Sequence, residues 1–239
     1  MKTIIVTGST GGLGSALVEE IYKLGYQQMI CMYRNKDKFE KLFKGKYEKI
    51  IGYYTKNSED DQEGLQDIIG NDSEEVIVFL TAFDILPIKK IGTYSREEIS
   101  QMIDGNVKDN VFVINDIVNL CKKYAIPLRI VNIDSGAADH ALQGWGQYSA
   151  AKSYLNAFLG TLALENPEYK IVCVDPGVID TDMQRKIRET DKNIFDRVDE
   201  FIDYKNDKRL CKAGDVARLL TDRYLVRWDA GSFREKLPK

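Results

Sequence analysis

A single α/β domain, a doubly wound parallel sheet with helices on both faces, is the fold class this sequence predicts. Three observations predict it. Short β-branched runs alternate with longer segments of helical period along the 239 residues. The first run passes through a cluster of glycines straight into a helical segment. No Pro-, Gly- or Ser-rich stretch marks a linker that would split the chain.

The elements follow in order. Thr3–Thr7 is β-branched and apolar, a first strand. In Gly12–Leu24 the residues Leu13, Leu17, Ile21 and Leu24 recur at helical spacing, and Gly25 supplies a C-terminal stop. Met29–Tyr33 reads as the second strand, while Lys49–Tyr54 mixes charge with aromatics and gives the weakest strand signal. Val76–Leu80, Leu128–Ile133 and Ile171–Val174 complete the strand series, and long helices are expected over Ile103–Lys123 and Tyr148–Glu165. The stretch Val178–Lys212 is rich in charge and poor in strand signal. It follows directly on a strand's carboxyl end, where open α/β sheets bind ligands, so it is expected to be a substrate lid; a solvated surface helix pair is the alternative.

Hydrophobic residues at 44% and charged residues at 30% allow a large core without a disulfide or metal staple. The formal net charge of −3 argues against a nucleic-acid backbone or an anionic membrane as main partner and leaves a small molecule. No run approaches the roughly 20 apolar residues of a membrane span. The opening MKTIIVTGSTGGLG enters its glycines too soon to hold a signal peptide's apolar segment, so a cytoplasmic protein is expected. Cys31, Cys121, Cys173 and Cys211 lie far apart without metal-ligand spacing, which reads as reduced, incidental thiols and no metal site.

The chemistry-bearing residues begin in the turn Thr7-Gly8-Ser9-Thr10-Gly11-Gly12-Leu13-Gly14. Between a strand and a helix, its backbone amides and the helix N-terminus can meet an anionic pyrophosphate, and glycines permit the close approach a Cβ would block. This makes the predicted sheet Rossmann-type. The second strand ends at Arg34, where an acid would accept hydrogen bonds from the 2′-hydroxyl of NAD. Arg34 can instead pair with the 2′-phosphate of NADP, with Lys36 and Lys38 adding positive field; a plain surface arginine is the alternative.

Tyr148 and Lys152 stand four apart in a helical segment, so both project from one face. A tyrosine of ordinary pKa about 10 is a poor acid or base at neutral pH, and a nearby ammonium stabilises its phenolate. The spacing recurs at Tyr204 and Lys208. Ser135 lies thirteen residues before Tyr148 at the end of a strand, and Asp191 thirteen before Tyr204. The two pairs are separated by what a resemblance implies, since the short-chain reductase family, which the Ser135-Tyr148-Lys152 set resembles, keeps its carbonyl-polarising serine at that position.

The glycine turn, through Thr7, Gly8, Gly12 and Gly14, resembles the TGxxxGxG pattern of the short-chain dehydrogenase/reductase family. The Ser135-Tyr148-Lys152 set and the Asp175-Pro-Gly-Val-Ile-Asp-Thr-Asp-Met183 turn resemble the same family in the same order, over nearly the whole chain. The resemblance implies that Gly8, Ser9, Thr10, Gly12, Leu13, Gly14, Arg34, Thr81, Ala82, Pro176, Gly177, Ile179 and Thr181, with Tyr148 and Lys152, hold NADP(H). It also implies that Asn106 holds a water in a proton relay. Related enzymes pair through helices corresponding to the two long ones here, so a homodimer or homotetramer is expected. Gly144-Trp145 before Tyr148, Asp180-Thr-Asp-Met-Gln184 and the basic Arg185–Arg188 place the nearest resemblance with the sepiapterin reductase and benzil reductase-like members. Trp145 and Met183 are expected at the substrate; His140, offset from Ser135 in a polar loop, is a weaker candidate. One departure stands out: the family's Asn-Asn-Ala-Gly after the fourth strand is here Leu80-Thr81-Ala82-Phe83. Bulky Phe83 replaces glycine, which bears on cofactor affinity.

The resemblance thus implies NADPH-dependent reduction of a ketone, diketone or aldehyde. Ser135 would bond the carbonyl oxygen, and Tyr148 would give the proton with Lys152 lowering its pKa. A catalytically silent NADP-binding regulator and a same-fold epimerase or dehydratase are the rival readings.

Overall fold

The chain shuttles repeatedly between sheet and helical layers, and the computed structural model, which describes residues 1–26, 28–47, 50–54, 61–70 and 73–238, shows how these layers close. Seven strands form one parallel sheet: β1 (Lys2–Thr7), β2 (Gln28–Tyr33), β3 (Ile50–Tyr54), β4 (Glu75–Leu80), β5 (Leu128–Ile133), β6 (Lys170–Asp175) and β7 (Arg234–Lys236), in the order β3-β2-β1-β4-β5-β6-β7. Lys49, where the sequence begins its third strand signal, lies outside the described residues. The helices are α1 (Gly12–Lys23), α2 (Lys36–Phe43), α3 (Asp61–Gly70), α4 (Arg96–Ile103), α5 (Asp109–Tyr124), α6 (Gly146–Glu165), α7 (Asp182–Arg188), α8 (Val198–Asn206) and α9 (Ala213–Leu220).

Strand side chains alternate between the two faces, and here both faces are covered, so the strands read as continuous apolar runs. Ile4 and Val6 pack with Leu17 and Ile21 of α1 and Leu220 of α9. Ile5, between them in sequence, packs with Ile114 and Ile117 of α5 and Leu155 and Leu159 of α6. Each such side chain, fully buried, contributes about 1.5–3 kcal/mol. The strand order reverses direction between β1 and β4, and at such a point the connections diverge and leave a crevice at the strands' carboxyl ends.

Three local features depart from the sequence reading. The helix expected over Ile103–Lys123 is interrupted by a π-helical turn, Asp104–Lys108. There the Asp109 N–H reaches back to the Asp104 carbonyl, and the Asn110 side chain donates to the Asn106 carbonyl at 3.0 Å. The stretch after Gly177 is part irregular and part helix, α7 and α8, whose apolar residues Ile187, Val198 and Phe201 join Phe195 and Trp145 in a third core cluster. Finally, β7 has no apolar run to announce it; it adds to β6 at the sheet edge. Among the described residues, no helix is long and apolar enough to cross a membrane.

Candidate active site

At the carboxyl ends of the strands lies a cleft of about 740 Å³. Of the residues singled out from sequence for cofactor, substrate or catalysis, all but Ser9, Lys36 and Asn106 line it.

The glycine turn forms its floor on the β1 side. Gly8 adopts φ +60°, and a Cβ there would lie 2.8 Å from Ala82 Cα. A Cβ on Gly14 would run into the Gly8 carbonyl and lie 2.8 Å from Thr81 Oγ1. Only glycine lets this turn lie flat on the end of β4. The contact is fastened by the Thr7 hydroxyl, which accepts from the N–H groups of Thr81 at 3.0 Å and Ala82 at 3.2 Å. Gly11 precedes α1 with no side-chain cap, leaving first-turn amides for an anion. Across the cleft, a Cβ on Gly12 would lie 2.7 Å from Thr181 Cγ2, so the Pro-Gly turn meets the glycine turn directly. Ser9 is turned away: it is fully buried, and its N–H and Oγ both donate to the Met32 carbonyl, at 3.0 and 2.9 Å.

The catalytic candidates converge on the opposite wall. Ser135 follows β5, and its Oγ accepts from the Ala137 N–H at 3.2 Å. Tyr148 and Lys152 both point inward from α6 and are buried. Burial pushes the Tyr148 phenol above its usual range; a hydrogen bond from Ser135 opposes that shift, and the charges of Asp134 and Asp175 add to it. Burial also pulls the Lys152 ammonium down to about 7, against the opposing pull of Asp134, Cys173 and Asp175. Lys152 Nζ donates to the Ile133 carbonyl and sits 3.3 Å from the centre of the Phe83 ring, with the Tyr148 ring centre 5.8 Å away. The Ser135 hydrogen bond thus acts in the direction that eases ionisation of the phenol.

Asn106 lies behind the cleft in the π-helical turn. Its side chain grips the Asp84 backbone from both sides, accepting from the N–H at 2.8 Å and donating to the carbonyl at 2.7 Å. Asn110 donates to the Ala82 carbonyl at 3.0 Å. These two asparagines fix the segment carrying Phe83. Arg34 is exposed at the end of β2, with its guanidinium against Gly105, where a Cβ would come within 2.5 Å of Nη1.

At the outer end, Trp145 starts α6, stacked on Phe195 at 5.0 Å and edge-on to Tyr148 at 5.6 Å. Met183 packs on the same cluster, and exposed His140 stands at the rim. Tyr204 also lines the cleft, but its hydroxyl donates to Glu200, and Lys208 is exposed with φ 56° beyond the end of α8. The pairing at Tyr204 and Lys208 is therefore not built as the one at Tyr148 is. Cys31, Cys121 and Cys173 are buried free thiols and Cys211 is partly buried.

Sequence reasoning did not single out Asp134 or Arg234, which form an ion pair behind Ser135. The acidic residue directly before Ser135 was a signal for the first; nothing local marks the second.

The pattern of the short chain dehydrogenase family matches residues 2–192. The chain is 27% identical over 231 residues to the benzil reductase ((S)-benzoin forming) of Bacillus cereus, covering 92% of each chain. The crystal structure of the KRED1-Pglu enzyme shares its fold with a TM-score of 0.83 at 23% identity, over 99% of this chain and 100% of that one. A short chain dehydrogenase from Burkholderia cenocepacia, solved in complex with NADP, shares it with a TM-score of 0.73 at 16% identity, over 99% and 88% of the two chains.

Proposed function

The chain belongs to the short-chain dehydrogenase family and is an oxidoreductase, and from that premise we propose that it reduces a ketone, diketone or aldehyde to an alcohol at the expense of NADPH. One observation carries the reading: Ser135, Tyr148 and Lys152 share a single cleft with a glycine turn that tolerates no Cβ at Gly8 or Gly14.

The cradle fits a dinucleotide. Gly8, Thr10, Gly12, Leu13 and Gly14 would hold the pyrophosphate end, Arg34 the 2′-phosphate, and Thr81, Ala82, Pro176, Gly177, Ile179 and Thr181 the remainder. NADPH, when bound, supplies the hydride. The protein's own part is to orient and to move a proton. Ser135 holds the carbonyl oxygen of the substrate, and the Tyr148 phenol, kept protonated by burial, donates the proton to that oxygen. Lys152 would bond the nicotinamide ribose and return a proton to Tyr148. The Asn106 carbonyl, which already accepts from the Asn110 side chain, is the group to hold the relay water. Trp145 and Met183 wall the substrate end, and the Val178–Lys212 segment covers it. The 27% identity to a benzil reductase favours an aromatic or diketone substrate. We further propose a cytoplasmic homodimer or homotetramer.

The test is consumption of NADPH by the purified protein with a panel that includes benzil, aliphatic diketones and simple aldehydes. Folded protein that binds NADPH yet consumes none with any of them would be a silent binder, and the reading would be wrong.

A further inference from the structure

Asp134 and Arg234 lie 100 residues apart and meet directly behind the Ser135 turn. Asp134 follows β5 with its side chain 2% exposed, and its N–H donates to the Val174 carbonyl at 2.7 Å. Its Oδ2 accepts from Asn156 Nδ2 of α6 at 2.9 Å, and from Arg234 Nε at 3.0 Å and Nη2 at 2.8 Å. The same guanidinium continues to Asp139, Nη1 to Oδ1 at 2.6 Å and Nη2 to Oδ2 at 2.8 Å. Asp134 and Asp139 stand on either side of Ser135 and the short 3₁₀ turn Gly136–Ala138. One planar fork of donors thus closes both ends of the turn, a geometry a lysine ammonium cannot reproduce.

The same pair sets charge. Acted on by the Asp134 carboxylate are Tyr148 and Lys152 of α6 and Cys173 of β6, with Arg234 of β7 paired to it; Asp175 of β6 acts on the same Tyr148 and Lys152, and Asp139, His140 and Lys236 lie around the far side of the guanidinium. Asp134 favours the protonated forms of both Tyr148 and Lys152. A guanidinium in contact with Asp134 offsets that effect.

We propose that Arg234 is a positioning residue: it staples the turn that presents Ser135 and screens the buried Asp134 charge from Tyr148 and Lys152. The proposal rests on the reading of Ser135, Tyr148 and Lys152 as the reacting set.

The experiment compares Arg234→Gln, Arg234→Lys, Asp134→Asn and Tyr148→Phe with the native enzyme. Each is checked for folding by circular dichroism and assayed for kcat, KM and the pH dependence of kcat. Arg234→Gln should lower kcat about ten- to a hundredfold, as loss of orientation does, with KM for NADPH little changed. It should also move the pH midpoint upward, because the unscreened Asp134 holds protons on Lys152 and Tyr148. Asp134→Asn should move the midpoint downward. Arg234→Lys, which keeps the charge and loses the fork, should restore the midpoint but not kcat. An unchanged kcat in Arg234→Gln, or a fall in kcat with the pH profile unmoved, overturns the proposal. If Arg234→Gln does not fold, the exposed Asp139→Asn replaces it: kcat should fall several-fold at constant KM, and an unchanged kcat overturns the staple. Full activity in Tyr148→Phe would instead overturn the underlying reading of the site, independently of Arg234.

Discussion

The Lys152 ammonium rests 3.3 Å from the centre of the Phe83 ring, on a side chain that stands where the family pattern has glycine. The ring is also edge-on to Tyr148, with centroids 6.2 Å apart, so it touches both members of the tyrosine-lysine pair. A desolvated cation on an aromatic face gains about 2 kcal/mol. Phe83 therefore stabilises a buried charge, and it occupies space beside the atom through which Lys152 would bond a ribose.

Two opposed effects of Phe83→Ala follow. Thermal stability should fall, because the cation–π contact and part of the ring's burial are lost. Affinity for NADPH should rise, several-fold, because nothing has to leave the ammonium. Fluorescence titration with NADPH reads the second effect directly. Weaker binding in the variant would mean that the ring is part of the cofactor's own surface.

Tyr148→Phe keeps the ring packed between Phe83 and Trp145 and removes only the hydroxyl. NADPH binding should survive, and single-turnover hydride transfer should drop by roughly 10²–10⁴-fold, the usual worth of a general acid. Tyr204→Phe loses its bond to Glu200 and should change KM more than kcat. The two variants measured side by side decide which tyrosine gives the proton.

Arg34→Asp should reverse or collapse the preference for NADPH over NADH, since a carboxylate accepts from a ribose hydroxyl and repels a phosphate. The loss is expected to be on the order of 1.5–3 kcal/mol for NADPH. Equal kcat/KM for the two cofactors in the native enzyme would refute the role given to Arg34.

Burial lowers the Lys152 pKa to about 7, from an unfolded value near 10.4. Between those pH values the unfolded chain binds a proton that the folded chain does not, so this group makes stability rise with pH across that window. Below it both states are charged, and the buried ammonium carries its full desolvation cost. Lys152→Met should therefore stabilise the protein most at pH 6, with an advantage that shrinks toward pH 10. Melting curves of both proteins across this range are the check; a pH-independent difference would contradict the shift.

Ile103, Phe112, Tyr154 and Leu164 leave large apolar side chains exposed on α4, α5 and α6, at 46%, 59%, 47% and 86%. Burying such side chains between subunits would remove them from water. Light scattering at micromolar concentration should show a dimer or tetramer, and Phe112→Glu should shift it toward monomer. A monomeric native protein would remove the assembly from consideration.

Much of the molecule was legible locally. The alternation of strand and helix, the glycine turn and the four-residue spacing of Tyr148 and Lys152 are short-range patterns, because backbone sterics and helical period act over a few residues. These patterns determined the sheet, its Rossmann-type winding and the candidates at its carboxyl edge. Segment limits were less so: at the π-helical turn the Asp109 N–H bonds the Asp104 carbonyl and the Asn110 side chain bonds the Asn106 carbonyl, a pattern no periodicity records.

Tertiary structure decided what each side chain does once it arrives. Ser9 sits in the glycine turn, yet both its donors go to Met32, because β2 runs beside β1 at that height. Phe83 covers Lys152 in a segment whose neighbours Ala82 and Asp84 are bonded to Asn110 of α5 and Asn106 of the π-helical turn. Arg234 reaches Asp134 only because β7 joins the sheet next to β6, bringing together residues at opposite ends of the chain's second half. Contacts of that span are set by packing and charge across the fold, and their energies appear only when the chain has closed; a sequence holds the partners without marking them as a pair.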